Sequence, residues 1–463
     1  MTTTAEMSQK KKIGIFGASV LVAGNIMGSG IALLPSSLGS VGSISIFSWI
    51  ITILGALALA YVFSRLGSID PQEGGPVAYA TQVSPILGYQ TGILYFHANW
   101  IGNAAIGLTA VSYLSTFWPI LSHKIFGGLA TIALIWFLTI LNLLGPKIIS
   151  FFSGVGLFLI LIPIGALAIF GWKEFDPKLF HANWNVSHTS NGHAIVSGVL
   201  ICVWAFIGIE SASVNTSLVE NPKRTIPVAT ILGTLLASLV YILSCTVISG
   251  LFSSSELATS GAPFALADGK LFGAWSVPFV SLFTAIACIT SLGSWMMLVA
   301  QAGVRASKNE CLPKIFQKTN PKGVPVLGLI LCSCFMTIML ILLMFFSGTG
   351  NIQYLFNYVT SIAVLLTILP YFYSAINLIH VEIFVEKRII GQVVASVIAC
   401  LFCFAAFYGA KEEVLLATVL VSLLCLLFYV RRDHHVFEKK SYDDFYSQFL
   451  TKDEKMNSNG VDK

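Results

Sequence analysis

A helix must carry about 20 consecutive apolar residues to cross the hydrocarbon core of a bilayer, and this chain repeats that pattern from end to end. Windows of that length give twelve candidate spans, near 13–35, 42–66, 87–117, 125–145, 149–171, 194–218, 225–252, 276–306, 324–346, 353–379, 389–409 and 412–430. The runs are too long and too free of alternation for a transmembrane barrel, whose strands alternate over about 10 residues. Charged residues form only 10% of the 463-residue chain, against roughly 25% in soluble domains. The expected fold class is an all-α membrane protein of twelve transmembrane helices.

The remaining segments set the organisation. Residues 1–12 form a polar N-terminal arm, 13–379 hold spans 1–10, 380–430 hold spans 11–12, and 431–463 form a charged tail. Lys10, Lys11 and Lys12 resemble the start of a signal peptide, but the run that follows is too long and offers no convincing cleavage site. An uncleaved first helix is therefore expected. With both termini cytoplasmic, 21 of the 26 basic residues lie inside, the exceptions being Lys124, Lys173, Lys178, Lys270 and Lys411. That asymmetry satisfies the positive-inside rule. It also accounts for most of the net charge of +5, so the charge implies no nucleic acid partner.

Several chemistries find no support. There is no nucleotide-binding loop, no H-E-x-x-H and no calcium loop, so neither an enzyme nor an ATP-driven pump is expected of this chain alone. Cys400 and Cys403 form a C-x-x-C inside an apolar helix without a second pair or a histidine, which reads as packing. The loop near 172–193 carries His181, His188 and His193. Their spacing allows a metal, whereas a solvated loop that titrates in mild acid is the ordinary reading. No cofactor or metal is expected.

Glu210 is the one carboxylate deep within a hydrophobic span, in Val203-Trp204-Ala205-Phe206-Ile207-Gly208-Ile209-Glu210-Ser211. A charge at membrane depth costs about 2.5–3.5 kcal/mol on insertion scales. It needs a partner, and a proton or a cationic substrate fits; a neutral acid hydrogen-bonded between helices is the alternative. The first span contains Gly24-Asn25-Ile26-Met27-Gly28-Ser29-Gly30, a glycine interruption matching the one in the sixth. Paired interruptions in matching halves point to an inverted-repeat transporter. Each broken helix exposes N–H groups on one half and C=O groups on the other. The first attract a carboxylate and the second an ammonium. Gly28-Ser29-Gly30 suits the carboxylate, and the carbonyls beside Ile207 and Gly208 suit the ammonium. Tyr95, Phe96, Trp100, Trp204, Phe206, Trp295 and Tyr371 are candidate faces for a desolvated cation, worth about 2 kcal/mol, with Trp204 and Trp295 favoured because each neighbours a polar or glycine-rich segment at mid-span. Asn99 and Asn103 lie one turn apart on the third span, as site donors or as packing residues.

These segments resemble the basic amino acid/polyamine antiporters of the amino acid–polyamine–organocation superfamily. The likeness runs from Lys11 to Arg431 and includes Tyr95-Phe96-His97-Ala98-Asn99-Trp100-Ile101-Gly102-Asn103, Val219-Glu220-Asn221-Pro222-Lys223-Arg224 and Ser291-Leu292-Gly293-Ser294-Trp295. His97-Ala98-Asn99-Trp100, Gly261-Ala262-Pro263-Phe264 and Trp295-Met296-Met297 favour the lysine/cadaverine branch over the arginine/agmatine branch. The resemblance implies a five-plus-five inverted repeat with broken first and sixth helices, and two further helices often at a dimer interface. It implies that Asn25, Ser29 and Gly30 meet the substrate carboxylate, and that Trp204 and Ile207 frame its ammonium. Tyr95 and Trp295 would line the side-chain pocket beside Ala98, Asn99 and Asn103. Glu210 would sense the proton, Tyr371 would belong to the gating layer, and Tyr79, Tyr241 and Tyr429 would handle the amine. Two positions depart from that branch: Phe96 stands in place of a second tyrosine, and Asn309 in place of an acid.

The implied function is exchange of external lysine for internal cadaverine across a bacterial inner membrane, supporting acid resistance beside a cytoplasmic amino acid decarboxylase. Its partners would be small cationic substrates, the lipid bilayer and, in a homodimer, a second copy. The rivals are arginine/agmatine exchange, proton-coupled polyamine or amino acid uptake, and a membrane sensor or scaffold that binds without translocating.

Overall fold

The computed structural model describes residues 14–27, 30–69, 75–144, 146–210, 219–308, 311–320, 323–346, 351–383 and 391–430. Among them the fold is helical, with an isolated bridge between His123 and Asn351. The first half holds α1 (Ile15–Met27), α2 (Leu34–Leu38), α3 (Ser45–Ile69), α4 (Pro76–Val83), α5 (Pro85–Leu114), α6 (Lys124–Leu144) and α7 (Pro146–Phe170). Then follow α8 (Pro177–Ala182), α9 (Asn191–Val203), α10 (Pro222–Leu251), α11 (Ser254–Thr259) and α12 (Pro263–Phe272). The last are α13 (Ser276–Lys308), α14 (Val326–Phe346), α15 (Ile352–Val381), α16 (Gly391–Tyr408) and α17 (Glu412–Val430).

Every apolar run found in the sequence overlaps one of these helices. Seven of them, α3, α6, α10, α13, α14, α15 and α16, are long and apolar enough to cross a membrane. Shorter apolar stretches lie at Ile15–Gly24, Phe158–Lys173 and Asn191–Phe206. The helix α5 packs against α13 and α15, while α10 packs against α1 and α3. Large apolar side chains such as Leu54, Phe137, Phe158, Leu239, Phe345 and Leu401 remain exposed on the outer faces. Lipid is the solvent in which that exposure carries no penalty.

Five short helices were not expected, because a 20-residue hydropathy window averages them away. Local chemistry nevertheless marks their starts. Proline opens α4, α8 and α12, where its missing N–H is harmless. Asp176 caps α8 and Ser253 caps α11 through side-chain acceptors. The loop histidines His181, His188 and His193 are exposed, and no metal-ligating cluster occurs among the described residues.

The ends of α8, α10 and α11 are tied together by one side chain. Asn183 is buried; its Nδ2 donates to Phe252 O at 2.9 Å and to Ser249 O at 3.3 Å, and its Oδ1 accepts from Ser254 N at 3.1 Å. Its own carbonyl accepts from Ser43 N at 2.9 Å. Ser36 Oγ donates to Ser260 O at 2.7 Å, which docks α2 on the segment after α11. None of the nine cysteines is in a disulfide, and only Cys334 and Cys400 are not buried.

Asn183→Ala leaves an amide and two carbonyls without their partner, at about 1–3 kcal/mol for an unsatisfied buried group. The expected outcome is a clear drop in unfolding temperature in detergent, against no measurable change for the exposed Asn191→Ala.

Candidate functional site

The first helix ends inside its apolar run, where glycines replace helix formers. α1 stops at Met27, and the chain turns through residues 30–33 before α2 begins at Leu34. The carbonyls released there find donors on other helices. Tyr241 of α10 donates its hydroxyl to Ile26 O at 2.8 Å, and Tyr113 of α5 donates to Ala32 O at 2.7 Å. α9 stops in the same manner at Val203. A tight turn, Trp204–Phe206, follows, and Gly208 takes a φ of 108°, in the region that favours glycine.

The two breaks touch. A Cβ added to Gly30 would lie 3.2 Å from Ile26 O and 3.4 Å from Ala205 Cα. Main chain therefore passes close to main chain at this point, and a side chain there would have to push its neighbours by a few tenths of an ångström.

Glu210 follows Gly208 in the second break and is 1% exposed. Tyr95 of α5 donates to its Oε1 at 2.5 Å, and Tyr371 of α15 donates to its Oε2 at 2.5 Å. One hydroxyl donor on each oxygen suits an ionised carboxylate, which accepts at both. Tyr371 stands edge-on to Phe63 with centroids 5.1 Å apart, and Phe63 contacts Tyr79 at 6.4 Å. The carboxylate is thereby linked to α3 and α4 through packed rings.

Trp204 is buried and edge-on to Phe356, and a Cβ at Gly102 would approach its ring to 3.3 Å. Asn103, next to Gly102 in α5, is buried. The Nδ2 of Asn103 and the Nε1 of Trp204 have no hydrogen-bond partner among the described residues. Unsatisfied buried donors of this kind suit a ligand or an ordered water. Asn99 instead donates to Tyr95 O at 2.6 Å along its own helix. Ala98 is buried, and Ile207 and Trp295 are half-buried.

The structure thus brings Tyr95, Glu210 and Tyr371 together, with Tyr79 one ring away. Tyr241 serves the first break and packs on Trp49 and Phe206. Tyr429 belongs to a separate cluster, with its ring 5.3 Å from Tyr89 and close to Ala306 and Cys311. Ser29, the side chain of Asn25, and Asn309 lie outside the described residues. Phe96 points away from Glu210 and packs edge-on against Phe316 at 5.6 Å. Sequence reasoning missed Tyr113 and Phe63. The first lies at the end of its span and reads as an interfacial anchor, and the second is one aromatic among 33 phenylalanines.

Residues 13–430 match the family described as amino acid permease. Over 429 residues the chain is 52% identical to the cadaverine/lysine antiporter of Escherichia coli (strain K12), covering 92% of this chain and 96% of that one. It is 34% identical to the putrescine transporter PotE of the same strain, covering 90% and 96%. The putrescine transporter PotE of Haemophilus influenzae is 32% identical, with the same coverage.

A double-mutant cycle tests the carboxylate's partners. Glu210→Gln combined with Tyr371→Phe should show a coupling of about 1.5–3 kcal/mol in unfolding free energy, as for hydrogen bonds to charged groups. Glu210→Gln combined with Tyr429→Phe should be additive within about 0.5 kcal/mol, as distant sites are.

Proposed function

The chain belongs to the amino acid permease family, and from that premise we propose that it exchanges external lysine for internal cadaverine across a bacterial inner membrane. The observation that carries the reading is Glu210, a buried acid held by Tyr95 and Tyr371 beside two broken helices. The relative named cadaverine/lysine antiporter supports the choice of substrates. In this reading the chain crosses the membrane twelve times, as a five-plus-five inverted repeat plus two helices, with both termini cytoplasmic. A homodimer and a cytoplasmic decarboxylase complete the proposal.

The substrate's charges find complementary ends of broken backbone. The lysine carboxylate meets the N–H groups opened at Gly30 and the segment around Asn25 and Ser29. Its α-ammonium meets the carbonyls near Ile207, framed by Trp204. The side-chain ammonium lies between Tyr95, Trp295 and the Asn99–Asn103 face. Glu210 supplies the single nearby anion. Cadaverine shares both ammonium ends with lysine and lacks the carboxylate.

Proton coupling follows from the donor set. A protonated Glu210 presents an O–H to one of the two tyrosines, so that hydroxyl must turn its hydrogen elsewhere. Tyr371 then shifts against Phe63 and Tyr79, which ties the proton to the gating layer. Lysine enters with charge +1 and cadaverine leaves with +2, so each cycle exports one positive charge. A decarboxylase that consumes one proton per lysine makes this a net removal of acid.

A second reading, proton-coupled amine uptake without exchange, draws on the relatives named putrescine transporter. Proteoliposomes at acidic pH separate the two. Labelled lysine should enter vesicles preloaded with cadaverine and fail to enter empty ones. Entry into empty vesicles would favour the second reading, and success only with arginine against agmatine would move the substrate to that pair. Glu210→Gln should remain folded and flatten the pH dependence of exchange; an unchanged pH profile would remove Glu210 from the coupling.

A further inference from the structure

A second carboxylate is buried in this chain, away from the broken helices. Asp268 lies in α12, between two apolar runs, and is 1% exposed. Both of its oxygens lack a hydrogen-bond partner among the described residues. Isolated charges are not tolerated in such a position. The carboxyl therefore needs a proton or an opening to water.

Among the described residues its surroundings supply no counter-charge. α12 packs against α7, α10 and α13. Tyr113 of α5 lies within electrostatic reach of Asp268, and also of Cys245 on α10 and Cys288 on α13. Between 158 and 170, α7 brings no titratable side chain. Lys270, two residues on, turns away: its Nζ donates to Leu251 O at 2.7 Å and lies over the Phe252 ring. Lys270 and Glu256 line an open cavity of about 500 Å³, and Asp268 is not among its lining residues.

The same segment covers the second half of the first broken helix. Ser36 of α2 bonds Ser260 O, Ser112 of α5 bonds Gly261 O at 2.8 Å, and a Cβ at Gly39 would collide with Ala258 N at 2.7 Å. Tyr113 joins the two regions, because its hydroxyl bonds Ala32 O. A disturbance at Asp268 is therefore felt where α2 begins.

We propose that Asp268 is a second proton site, which keeps the α11–α12 cap seated on α2 when protonated and loosens it when ionised. On the charge asymmetry of the loops this cap faces outside, so the site reads external pH independently of Glu210. Acid outside keeps α2 backed and the exchanger competent; neutral pH outside releases the backing. Only the transport arm below rests on the lysine/cadaverine reading.

The pH window follows from burial. Desolvation pushes the Asp268 carboxyl up to about 7, against about 3.9 in an unfolded chain. The folded state holds the proton more tightly, so the stabilisation is complete below about pH 4, falls as pH rises towards 7, and is constant above that. Asp268→Asn mimics the protonated form and removes the dependence.

Three measurements test this. In detergent without substrate, the unfolding temperature of the wild type should fall relative to Asp268→Asn between pH 5 and pH 8. Parallel curves would overturn the proposal. In wild-type protein, amide protection of Pro263–Phe272, corrected for intrinsic exchange, should fall about tenfold per pH unit across the window in which only the folded state holds the proton. Flat protection would overturn it even if the variant did not fold. In proteoliposomes with internal pH fixed, wild-type lysine uptake should decline as external pH rises, and Asp268→Asn should decline less steeply, keeping only the dependence that Glu210 contributes. An identical external pH profile in the two would overturn it. The first two measurements need no substrate, so a wrong substrate assignment leaves them intact.

Discussion

A helix that stops within hydrocarbon leaves main-chain carbonyls facing a solvent that cannot hydrogen-bond them, at several kcal/mol each. In this protein two tyrosine hydroxyls meet that demand at the first break, from Tyr241 to Ile26 O and from Tyr113 to Ala32 O. Much of the site depends on those two bonds. They permit α1 to end where it does, which in turn lets Gly30 lie against Ala205 and brings the second break alongside. The second break carries Glu210, and the carboxylate is met by hydroxyls from two further helices. An irregular backbone at membrane depth is thus sustained by aromatic side chains, whose rings pack as core and whose single polar atoms satisfy what the break exposes.

The economy of charge is the other side of this arrangement. Glu210 is the one acid placed among the candidate binding residues. If the substrates are lysine and cadaverine, both bring ammonium groups and only one brings a carboxylate. Backbone N–H and C=O ends suit such a pair. They are partial charges, so an unoccupied carboxylate subsite leaves no full cation buried without a partner.

The helical class and the places of the breaks were legible in the sequence, because both depend on local composition. Twenty-residue apolar runs, the glycines at 24, 28 and 30, and the carboxylate amid apolar residues need no knowledge of the fold. Tertiary partners were not legible. Tyr95 and Tyr371 stand 115 and 161 positions from Glu210, and nothing in their neighbourhoods distinguishes them from tyrosines that serve only packing. Tyr241 stood out by resemblance for handling amine, and the structure gives its hydroxyl a main-chain acceptor. The contrast between Tyr95 and Phe96 is one of helix geometry. Neighbours on a helix point about 100° apart, so Tyr95 meets Glu210 while Phe96 meets Phe316. Asp268 was passed over because a carboxylate between spans is ordinarily solvated; its burial comes from three helices that meet over it.

The cysteines bear on how such a protein can be interrogated. A thiol reacts as its thiolate in contact with water, and seven of the nine here are buried, while Cys334 and Cys400 are half-buried on apolar helices. The native chain is therefore close to silent towards water-soluble maleimides. A single cysteine introduced on a loop would be the group that reacts, and with an impermeant reagent it would report which side of the bilayer that loop faces.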